Sequence, residues 1–534
     1  MSKKNDKDFW KYREARKVTK TDRFIYLVLV IAGFLSILRF GDWWFRAEHV
    51  ESLPFFILLS LLIWYGIIRM ILIWINYLRI KKPEFVAAEK GLKVAIFTTS
   101  SPGEPLSMFD KTLKACANIT YPHTTYLLDD TQKPEFKKVA EKHGAVWLEL
   151  VGLPGAKAGK VNAALKMVEE DFILIMDPDH IPFPNFLDKV LGYFRDKKVG
   201  FVQVAQTYYN QYRSFTAKGA AEQTYTFYGP TLMGLAGYDS AVAIGANCTF
   251  RKEALESIGG HGIGLAEDLI TSIRLHAKGW KSVFTPIVVS RGLVPEDFGS
   301  FCKQQLKWSR GLFEVLFTEV PQLFKNLSGW QRISYLAISS YYFVGLTTFL
   351  YIAIPFLYFW TGIIPANMNF GEFIINGAPI IVIAVSIYLF VQKWLSHPQA
   401  ERGFHWRGMI LKTATWPVFL LGNLLGFVNA EIPYIPTAKK AVSGLSPYSR
   451  PLILHVVLFI GTLAYVIYSR LSTVSEGLLA LTSEQVWGMF AFAFVSVFLV
   501  IGGIFAALES RNLPEDEPWR KVDLDKIKTE NDHQ

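Results

Sequence analysis

The chain has 534 residues, of which 51% are hydrophobic and 19% charged, so it is too apolar for a purely soluble protein and long enough for two domains. Its net charge of +10 is not arranged as a polybasic stripe with interleaved aromatic residues, which argues against nucleic acid as a partner. Basic segments beside a membrane and an anionic substrate explain the charge better.

Six apolar runs are each long enough to cross the hydrocarbon core of a bilayer. They lie near 24–40, 53–78, 333–360, 377–396, 452–469 and 486–508. Lys and Arg are frequent at both ends of the chain and after the second run, whereas 361–376 and 471–485 contain neither. The positive-inside rule therefore predicts a multi-pass protein of the plasma membrane whose termini and central region are cytosolic.

The segment 405–430 is also long enough to span, but a seventh crossing would place the basic C-terminal tail outside. We expect it to lie on the membrane or to re-enter it, because basic residues surround it on both sides. These residues are Arg402, Arg407, Lys412, Lys439 and Lys440.

The central region begins near Leu92, and its strand-like runs KVAIFTT and TYLLDDT alternate with helical stretches. This alternation predicts a layered α/β domain with a largely parallel sheet. Asp129 and Asp130 end the second strand, where an ordinary turn would also accommodate them.

Small residues surround Lys157 in PGAKAGKVNAAL, and they would let the backbone and this lysine approach an anion near the start of a helix. A plain helix start is the alternative. Asn162 belongs to the same stretch and is a second candidate.

Asp177 and Asp179 follow the apolar run Phe172–Met176, which is typical of a buried strand. Open α/β sheets bind ligands at the carboxyl ends of their strands, and carboxylates one residue apart can share a divalent cation with substrate phosphates. The pattern therefore favours Mg²⁺ or Mn²⁺ and a nucleotide, although an Asp-Pro turn is the simpler alternative.

Glu267 and Asp268 follow a glycine-rich loop and precede a helical pattern, so Asp268 lies near a helix N-terminus. Such a carboxylate caps the helix, or it acts as a general base if an acceptor hydroxyl lies within reach. Further on, QQLKW opens an amphipathic helix, for which an ordinary interfacial helix is the alternative. Its residues are Gln304, Gln305, Leu306, Lys307 and Trp308.

The order D-x-D, E-D, Q-Q-x-K-W resembles that of the processive family 2 glycosyltransferases, the cellulose synthase-like enzymes. The resemblance runs from about residue 92 to 445, and the usual pattern is D, D-x-D, T-E-D and Q-(Q/R)-x-R-W. Ala266 replaces the usual Thr and Lys307 the usual Arg. A lysine lacks the planar fork that grips a diphosphate at two points, so the donor is expected to be held differently.

The resemblance implies a GT-A-type nucleotide-sugar domain inserted between transmembrane helices, together with a role for each motif residue. Asp268 would be the catalytic base, and Asp177 and Asp179 would hold Mg²⁺ or Mn²⁺. The donor would contact Asp129, Asp130, Lys157, Asp177, Gln304, Gln305 and Lys307. The acceptor would contact Glu267 and Trp308, and a gating-like loop would contain Thr437 and Lys439.

The implied reaction is inverting, processive transfer from a UDP-sugar, UDP-glucose first, to a β-linked polysaccharide that crosses the bilayer during synthesis. A protein outside the cytoplasm that receives the polymer, or a second copy of the chain, would be a fitting partner. Alternatives are non-processive transfer to a lipid, and a hyaluronan- or chitin-type synthase that uses UDP-N-acetylglucosamine. A transporter or scaffold that binds nucleotides without chemistry is a third alternative, which release of UDP would exclude.

The sequence is thereby divided into eight segments. They are a cytosolic N-terminal tail (1–23), two transmembrane helices (24–80), the cytosolic catalytic domain (81–300), an interfacial helix with the QQLKW motif (301–330), two transmembrane helices (331–396), an interfacial helix with the gating-like loop (397–451), two transmembrane helices (452–508) and a cytosolic tail (509–534).

Overall fold

The structure, a computed structural model, describes residues 9–368, 370–432, 439–442, 444–471 and 483–527. The strands are β1 (Arg13–Glu14), β2 (Val94–Thr99), β3 (Thr124–Asp129), β4 (Val146–Glu149), β5 (Phe172–Ile175), β6 (Ile181–Pro182), β7 (Val199–Val204), β8 (Cys248–Arg251), β9 (Lys281–Thr285), β10 (Ile287–Val288) and β11 (Ser290–Arg291).

The first ten helices precede the QQLKW motif. They are α1 (Lys20–Trp44), α2 (Leu53–Leu78), α3 (Leu106–Ala117), α4 (Pro134–Lys142), α5 (Ala156–Leu165), α6 (Phe186–Val190), α7 (Phe215–Thr224), α8 (Leu232–Gly237), α9 (Lys252–Ser257) and α10 (Glu267–Ala277). The others are α11 (Phe298–Phe317), α12 (Glu319–Leu323), α13 (Gly329–Ser339), α14 (Val344–Thr361), α15 (Phe370–Val391), α16 (Pro398–Glu401), α17 (Trp406–Ala414), α18 (Trp416–Phe427), α19 (Arg450–Leu471) and α20 (Ser483–Glu509).

Seven strands form one mixed sheet in the order β4-β3-β2-β5-β8-β7-β9. Strand β2 is parallel to β3 and β5, β3 is parallel to β4, and β7 is parallel to β9. Only β8 runs antiparallel to its neighbours β5 and β7 in this sheet of the described residues. The predicted layered α/β domain with a largely parallel sheet is confirmed, and β8 is its reversed strand.

The sheet is covered on both faces, as β5 illustrates. Phe172 and Leu174 pack into the core on one face, whereas Ile173 and Ile175 pack into the core on the other. A strand buried on both faces requires a continuous apolar run, because each successive side chain points to the opposite face. The run therefore fixes where β5 ends and where its polar continuation leaves the sheet.

Strands β2, β3 and β5 are parallel, so their carboxyl ends lie along the same edge of the sheet. Ser100 follows β2, Asp129 closes β3, and Asp177 and Asp179 follow β5. The reversed strand β8 begins at this edge, because Cys248 pairs with Ile175. The loop before β8 therefore faces the acidic residues after β5.

Within the described residues, six helical segments are long and apolar enough to cross a membrane, in agreement with the six predicted runs. They are Lys20–Trp44, Leu53–Leu78, Tyr341–Thr361, Phe370–Trp394, Pro447–Tyr468 and Val486–Asn512. Large apolar side chains on these helices are exposed on the outside of the protein, among them Leu38, Val382 and Phe498. Such extensive apolar surface is typical of contact with lipid.

The third of these segments begins at Tyr341, whereas the apolar run predicted a start near 333. The difference arises because α13 is a separate helix, with a capping box between Ser328 and Gln331. It exposes Trp330, Ile333 and Leu336 on one side. This amphipathic helix therefore precedes the long apolar one instead of forming its first turns.

Segment 405–430 forms two helices, α17 and α18, that meet at an angle of 49°. Pro417 lies in the first turn of α18, where its missing N–H interrupts no helical hydrogen bond. The apolar segments number seven if this bent pair counts as one crossing. The predicted interfacial or re-entrant position therefore remains a prediction.

Both ends of the described chain pack onto the α/β domain. At the N-terminal end, β1 pairs with β10 and Trp10 is buried. At the C-terminal end, Trp519 is 1% exposed, packs beside Met108 and Phe109, and donates a hydrogen bond from Nε1 to Ser107 Oγ (3.0 Å). The sequence indicated only a charged tail here.

Candidate active site

The D-x-D carboxylates project from the carboxyl end of β5 into the centre of the candidate site. Asp179 is buried: its Oδ1 lies 2.8 Å from His180 Nδ1 and its Oδ2 accepts a hydrogen bond from Lys439 Nζ at 2.7 Å. Burial alone would raise the pKa of Asp179, but the Lys439 and His180 charges outweigh burial and hold it well below its usual range. Asp179 is therefore ionised at neutral pH.

Lys157 connects the D-x-D segment to the loop before β8. Its ammonium donates hydrogen bonds to Asp177 Oδ1 and to the carbonyl oxygen of Gly245. Burial lowers the pKa of Lys157, but Asp177, Glu267 and Asp268 raise it further, so the net shift is upward. A buried, permanently charged lysine therefore lies between the D-x-D and E-D carboxylates.

Asp268 lies in the first turn of α10, as predicted, and its Oδ1 accepts a hydrogen bond from the Leu269 N–H (2.8 Å). Burial raises the pKa of this carboxyl to about 7, with a further contribution from the neighbouring Glu267 charge. The helix N-terminus and Lys157 oppose this increase only in part. A carboxyl with this pKa can accept or give up a proton at neutral pH.

The residue before Glu267 is the N-cap of α10. It is Ala266, which offers no side-chain hydrogen bond to the helix start. The threonine usual in the resembled family would supply such a bond, because Thr is a favoured N-cap. The substitution leaves the first turn of α10 without a side-chain cap.

Asn162 fixes the glycine-rich loop before α10. Its Nδ2 donates to the His261 carbonyl (2.9 Å), and its Oδ1 accepts from the His261 N–H (2.6 Å). Both polar atoms of the Asn162 side-chain amide are thus hydrogen-bonded to the loop, so Asn162 has a structural role beside the site.

Asp129 and Asp130 at the end of β3 differ in their surroundings. Asp129 is buried and accepts hydrogen bonds from Ser100, Thr131 and Trp147, the last at 3.0 Å. Asp130 is more exposed, and its Oδ2 lies 3.7 Å from Lys160 Nζ. Asp129 therefore holds the strand ends together, while Asp130 is the one open to the cleft.

The QQLKW residues lie on α11, whose start is capped by Asp297. Lys307 is half-buried in the site, where desolvation lowers its pKa and the Glu267 and Asp177 charges oppose that effect. Gln304 and Trp308 are half-buried. Gln305 is buried and accepts a hydrogen bond from the Tyr342 hydroxyl (3.1 Å), at the start of the third apolar segment. Helix α11 thus places Lys307 beside the carboxylates, whereas Gln305 points to Tyr342 instead.

Close contacts made possible by glycine fix α11 on both sides. A Cβ at Gly311 would lie 3.0 Å from the Ala266 nitrogen, beside the E-D motif. A Cβ at Gly422 of α18 would lie 2.4 Å from Ser309 Oγ. These approaches tie the motif helix to the E-D loop and to the bent helix pair.

The predicted gating-like loop is described only in part. Thr437 lies outside the described residues, whereas Lys439 contacts Asp179 as stated above. The next residue, Lys440, forms an ion pair with Glu517 Oε1 of the C-terminal tail at 2.6 Å. Two consecutive lysines therefore contact the D-x-D segment and the tail.

A divalent cation fits the residues present. Carboxylate oxygens of Asp177 and Asp179 and a ring nitrogen of His180 lie within 4.8 Å of one another. Oxygen donors suit Mg²⁺ and Mn²⁺. The Lys439 ammonium already places a positive charge against Asp179, which shows that this position accommodates a cation.

Sequence reasoning missed Glu104 and Gln203. Glu104 follows β2 at the same edge, and burial raises its pKa to about 7, although Lys439 and the Ser101 N–H oppose the increase. Gln203 of β7 donates to the Ala246 carbonyl (3.0 Å) and accepts from the Ile244 N–H (3.1 Å), so it fixes the loop that holds Lys157. The position of Glu104 after a strand at the ligand-binding edge was the available signal.

The sequence is similar to those of known glycosyltransferases and cellulose synthase subunits. The family described as Glycosyl transferase family group 2 matches residues 172–395. The cellulose synthase catalytic subunit (UDP-forming) of Komagataeibacter sucrofermentans is 30% identical over 295 residues, which cover 53% of this chain and 38% of that protein. The corresponding subunit of Pseudomonas fluorescens is 24% identical over 433 residues, which cover 77% of this chain and 57% of that protein.

The chain thus spans less than two thirds of the length of either relative. Among solved structures, a mannosyltransferase from Pyrobaculum calidifontis, in complex with GDP-Man and Mn²⁺, is 15% identical with a TM-score of 0.48, and the match covers 71% of this chain and all of that one. The family match and the mixed sheet agree with the predicted resemblance and fold class. Residues 172–395 are therefore similar to the family 2 glycosyltransferases, and the mixed sheet has the GT-A-like fold that the sequence predicted.

Proposed function

We propose that this protein is an inverting, processive glycosyltransferase that polymerises a UDP-sugar, UDP-glucose first, into a β-linked polysaccharide and moves it across the membrane. The observation that carries the proposal is the pairing of Asp268, whose pKa is raised to about 7, with the D-x-D carboxylates across Lys157. The relatives named as UDP-forming cellulose synthase subunits support the choice of donor and product.

Asp268 is the proposed general base. It would take the proton from the acceptor hydroxyl, which attacks the anomeric carbon of the donor sugar from the side opposite UDP. Its burial and the Glu267 charge make it basic enough for this step at neutral pH. Glu267 and Trp308 would orient the acceptor, Trp308 by stacking on an apolar sugar face.

The donor diphosphate would lie along the opposite wall of the cleft. Asp177 and Asp179 would hold Mg²⁺ or Mn²⁺, which neutralises the charge that develops on the leaving diphosphate. Lys157 and Lys307 would add positive charge on the donor side, and Gln304 and Asp130 would position the nucleotide sugar. When the cation binds, the Lys439 ammonium would move from Asp179 to contact the donor instead.

The six apolar segments support a place in the plasma membrane, with the catalytic domain in the cytosol. Helix α11 carries Lys307 in the catalytic cleft, and its Gln305 contacts Tyr342 at the start of the third apolar segment. This continuity would place the growing end of the polymer in line with the membrane helices.

The test uses the full chain reconstituted in lipid vesicles with Mg²⁺ or Mn²⁺ and each radiolabelled nucleotide sugar in turn. A high-molecular-weight product from UDP-glucose alone, degraded by a linkage-specific β-glucanase, is the expected result. Label in the organic phase would indicate transfer to a lipid instead. A polymer made only from UDP-N-acetylglucosamine would indicate a hyaluronan- or chitin-type synthase. The Asp268→Asn protein is the matched negative control.

A further inference from the structure

A cavity of about 430 Å³, separate from the candidate active site, lies where the end of α2 meets the start of α13. Arg79, Tyr238, Asp239 and Trp330 line it. The Tyr238 and Trp330 rings have centroids 4.4 Å apart, and the Arg79 guanidinium lies 5.0 Å from the Tyr238 ring centroid. The cavity therefore combines one cation, one carboxylate and two aromatic rings, none of which belongs to the candidate active site.

The walls of this cavity are fixed by backbone contacts. The Tyr238 hydroxyl donates to the Ile75 carbonyl (3.1 Å), and Gln331 Nε2 donates to the Asp239 carbonyl (2.8 Å). A Cβ at Gly237 would lie 1.8 Å from the Arg79 carbonyl oxygen, so only glycine allows this approach. The cavity is thus formed before any ligand arrives.

The charged groups of this cavity are those of Arg79 and Asp239. Within the ranges that the structure describes, the Arg79 guanidinium and the Asp239 carboxylate form no hydrogen bond or ion pair, either with each other or with another residue. Both residues are exposed. Two opposite charges that line one cavity without pairing suit a ligand that carries both charges.

The cavity lies at the boundary between apolar and polar surface. Arg79 follows directly on the apolar helix α2, and α13 exposes Trp330, Ile333 and Leu336 before the third apolar segment begins. Arginine and tryptophan at the ends of membrane helices lie at the level of lipid head groups. A lipid head group is therefore the ligand within reach.

We infer that this cavity binds the head group of a zwitterionic phospholipid in the leaflet that faces the α/β domain. The planar Arg79 guanidinium binds the phosphate through charge-assisted hydrogen bonds. Asp239 and the exposed side of the Trp330 ring bind the ammonium group. This inference rests on the membrane insertion proposed above and is independent of glycosyl transfer.

The experiment is native mass spectrometry of the full chain after equilibration with detergent micelles that contain phosphatidylethanolamine and phosphatidylglycerol in equal amounts. No nucleotide sugar is added, so failure here is distinguishable from failure of the proposed catalysis. The wild-type protein is expected to retain phosphatidylethanolamine in preference to phosphatidylglycerol, because only the former supplies an ammonium for Asp239.

Two variants separate the charges. Arg79→Gln is expected to reduce retention of both lipids by about tenfold, since a charge-assisted hydrogen bond to phosphate is lost. Asp239→Asn is expected to remove the preference for phosphatidylethanolamine while retaining phosphatidylglycerol. Asn tolerates the positive φ of this position (51°), so the variant folds. Lys325→Gln, which removes an exposed cation near the cavity but outside its walls, is the control.

Equal retention of the two lipids by the wild-type protein would overturn the inference. So would unchanged lipid retention in Arg79→Gln, or an unchanged preference for phosphatidylethanolamine in Asp239→Asn.

Discussion

Two carboxylates of the same cleft, the buried Asp179 and the half-buried Asp268, show opposite electrostatic behaviour. Asp179 is held ionised by Lys439 and His180, whereas burial and the neighbouring Glu267 raise the pKa of Asp268 to about 7. Burial is common to both, so the sign of the shift is decided by the charge of the nearest neighbour. Paired groups with separated pKa values are typical of sites where one carboxylate holds charge and the other exchanges a proton.

The largest expected effect is that of Asp268→Asn. Loss of the base should reduce turnover by about 10³-fold. Binding of UDP with Mn²⁺, measured by calorimetry, should stay within about twofold of wild type, because the D-x-D side is unchanged. Asp110→Asn, which removes a carboxylate outside the cleft, is the control. Loss of UDP binding in Asp268→Asn would contradict the assignment of the base.

The complementary change is Asp179→Asn. It should weaken Mn²⁺-dependent UDP binding by at least the roughly 10-fold to 100-fold that disturbing a metal site costs, and reduce turnover with it. Calorimetry of UDP binding therefore distinguishes the two variants, although turnover is reduced in both. Unaltered UDP and Mn²⁺ binding in Asp179→Asn would show that this carboxylate does not hold the cation.

The pH dependence of kcat/KM tests the cause of the Asp268 shift. In the proposed mechanism activity requires the ionised Asp268 carboxylate, so kcat/KM should fall as pH decreases through about 7, where an ordinary Asp would remain ionised. Glu267→Gln removes a like charge, lowers the pKa of Asp268, and should move this limb to lower pH by about one unit. Glu253→Gln, an exposed change, should leave the limb in place. An unmoved limb in Glu267→Gln would exclude Glu267 as a cause.

Lys439→Met probes the other carboxylate. An incoming cation no longer has to displace an ammonium from Asp179, so Mn²⁺ binding without donor should strengthen by about fivefold, or ~1 kcal/mol. Electron paramagnetic resonance of free Mn²⁺ measures this directly. Lys142→Met, which removes a cation that pairs with Asp110 instead, is the control. Weaker Mn²⁺ binding in Lys439→Met would mean that this lysine supports the site instead of competing with the cation.

The smallest expected effect is that of Glu517→Gln. This variant removes the ion pair between Glu517 and Lys440, the residue after Lys439. Without this anchor at Lys440, the contact of Lys439 with Asp179 should be easier to break. Mn²⁺ binding should strengthen by about twofold, less than in Lys439→Met, in line with a partly exposed ion pair. An effect larger than that of Lys439→Met would show that the tail acts on the site by another route.

The local parts of the fold were predictable from sequence, and the long-range parts were not. The apolar run of β5 placed Asp177 and Asp179 at a strand end, and the glycine loop before LITSIRL placed Asp268 at a helix start. Lys439 contacts Asp179 across 260 residues, and Ser107 contacts Trp519 across 412. No periodicity specifies such contacts, because they depend on how separate elements dock.

The start of the third apolar segment shows a second limit. Hydropathy averages over many residues, so it merged α13 with the longer helix that follows. The capping box of Ser328 and Gln331 begins α13, and a short 3₁₀ turn at Tyr341–Phe343 leads into α14. Caps and turns of a few residues are lost in such an average.

The glycine contacts of α11 have a mechanical consequence. Because Gly422 brings α18 against Ser309, and Gly311 brings α11 against Ala266, no compliant linker separates the bent helix pair from the loop that carries Asp268. Helices in a bilayer adjust their tilt to its hydrocarbon thickness at modest cost. If α18 lies in the bilayer, its tilt would be transmitted to Asp268, and the proposed base would then respond to bilayer thickness.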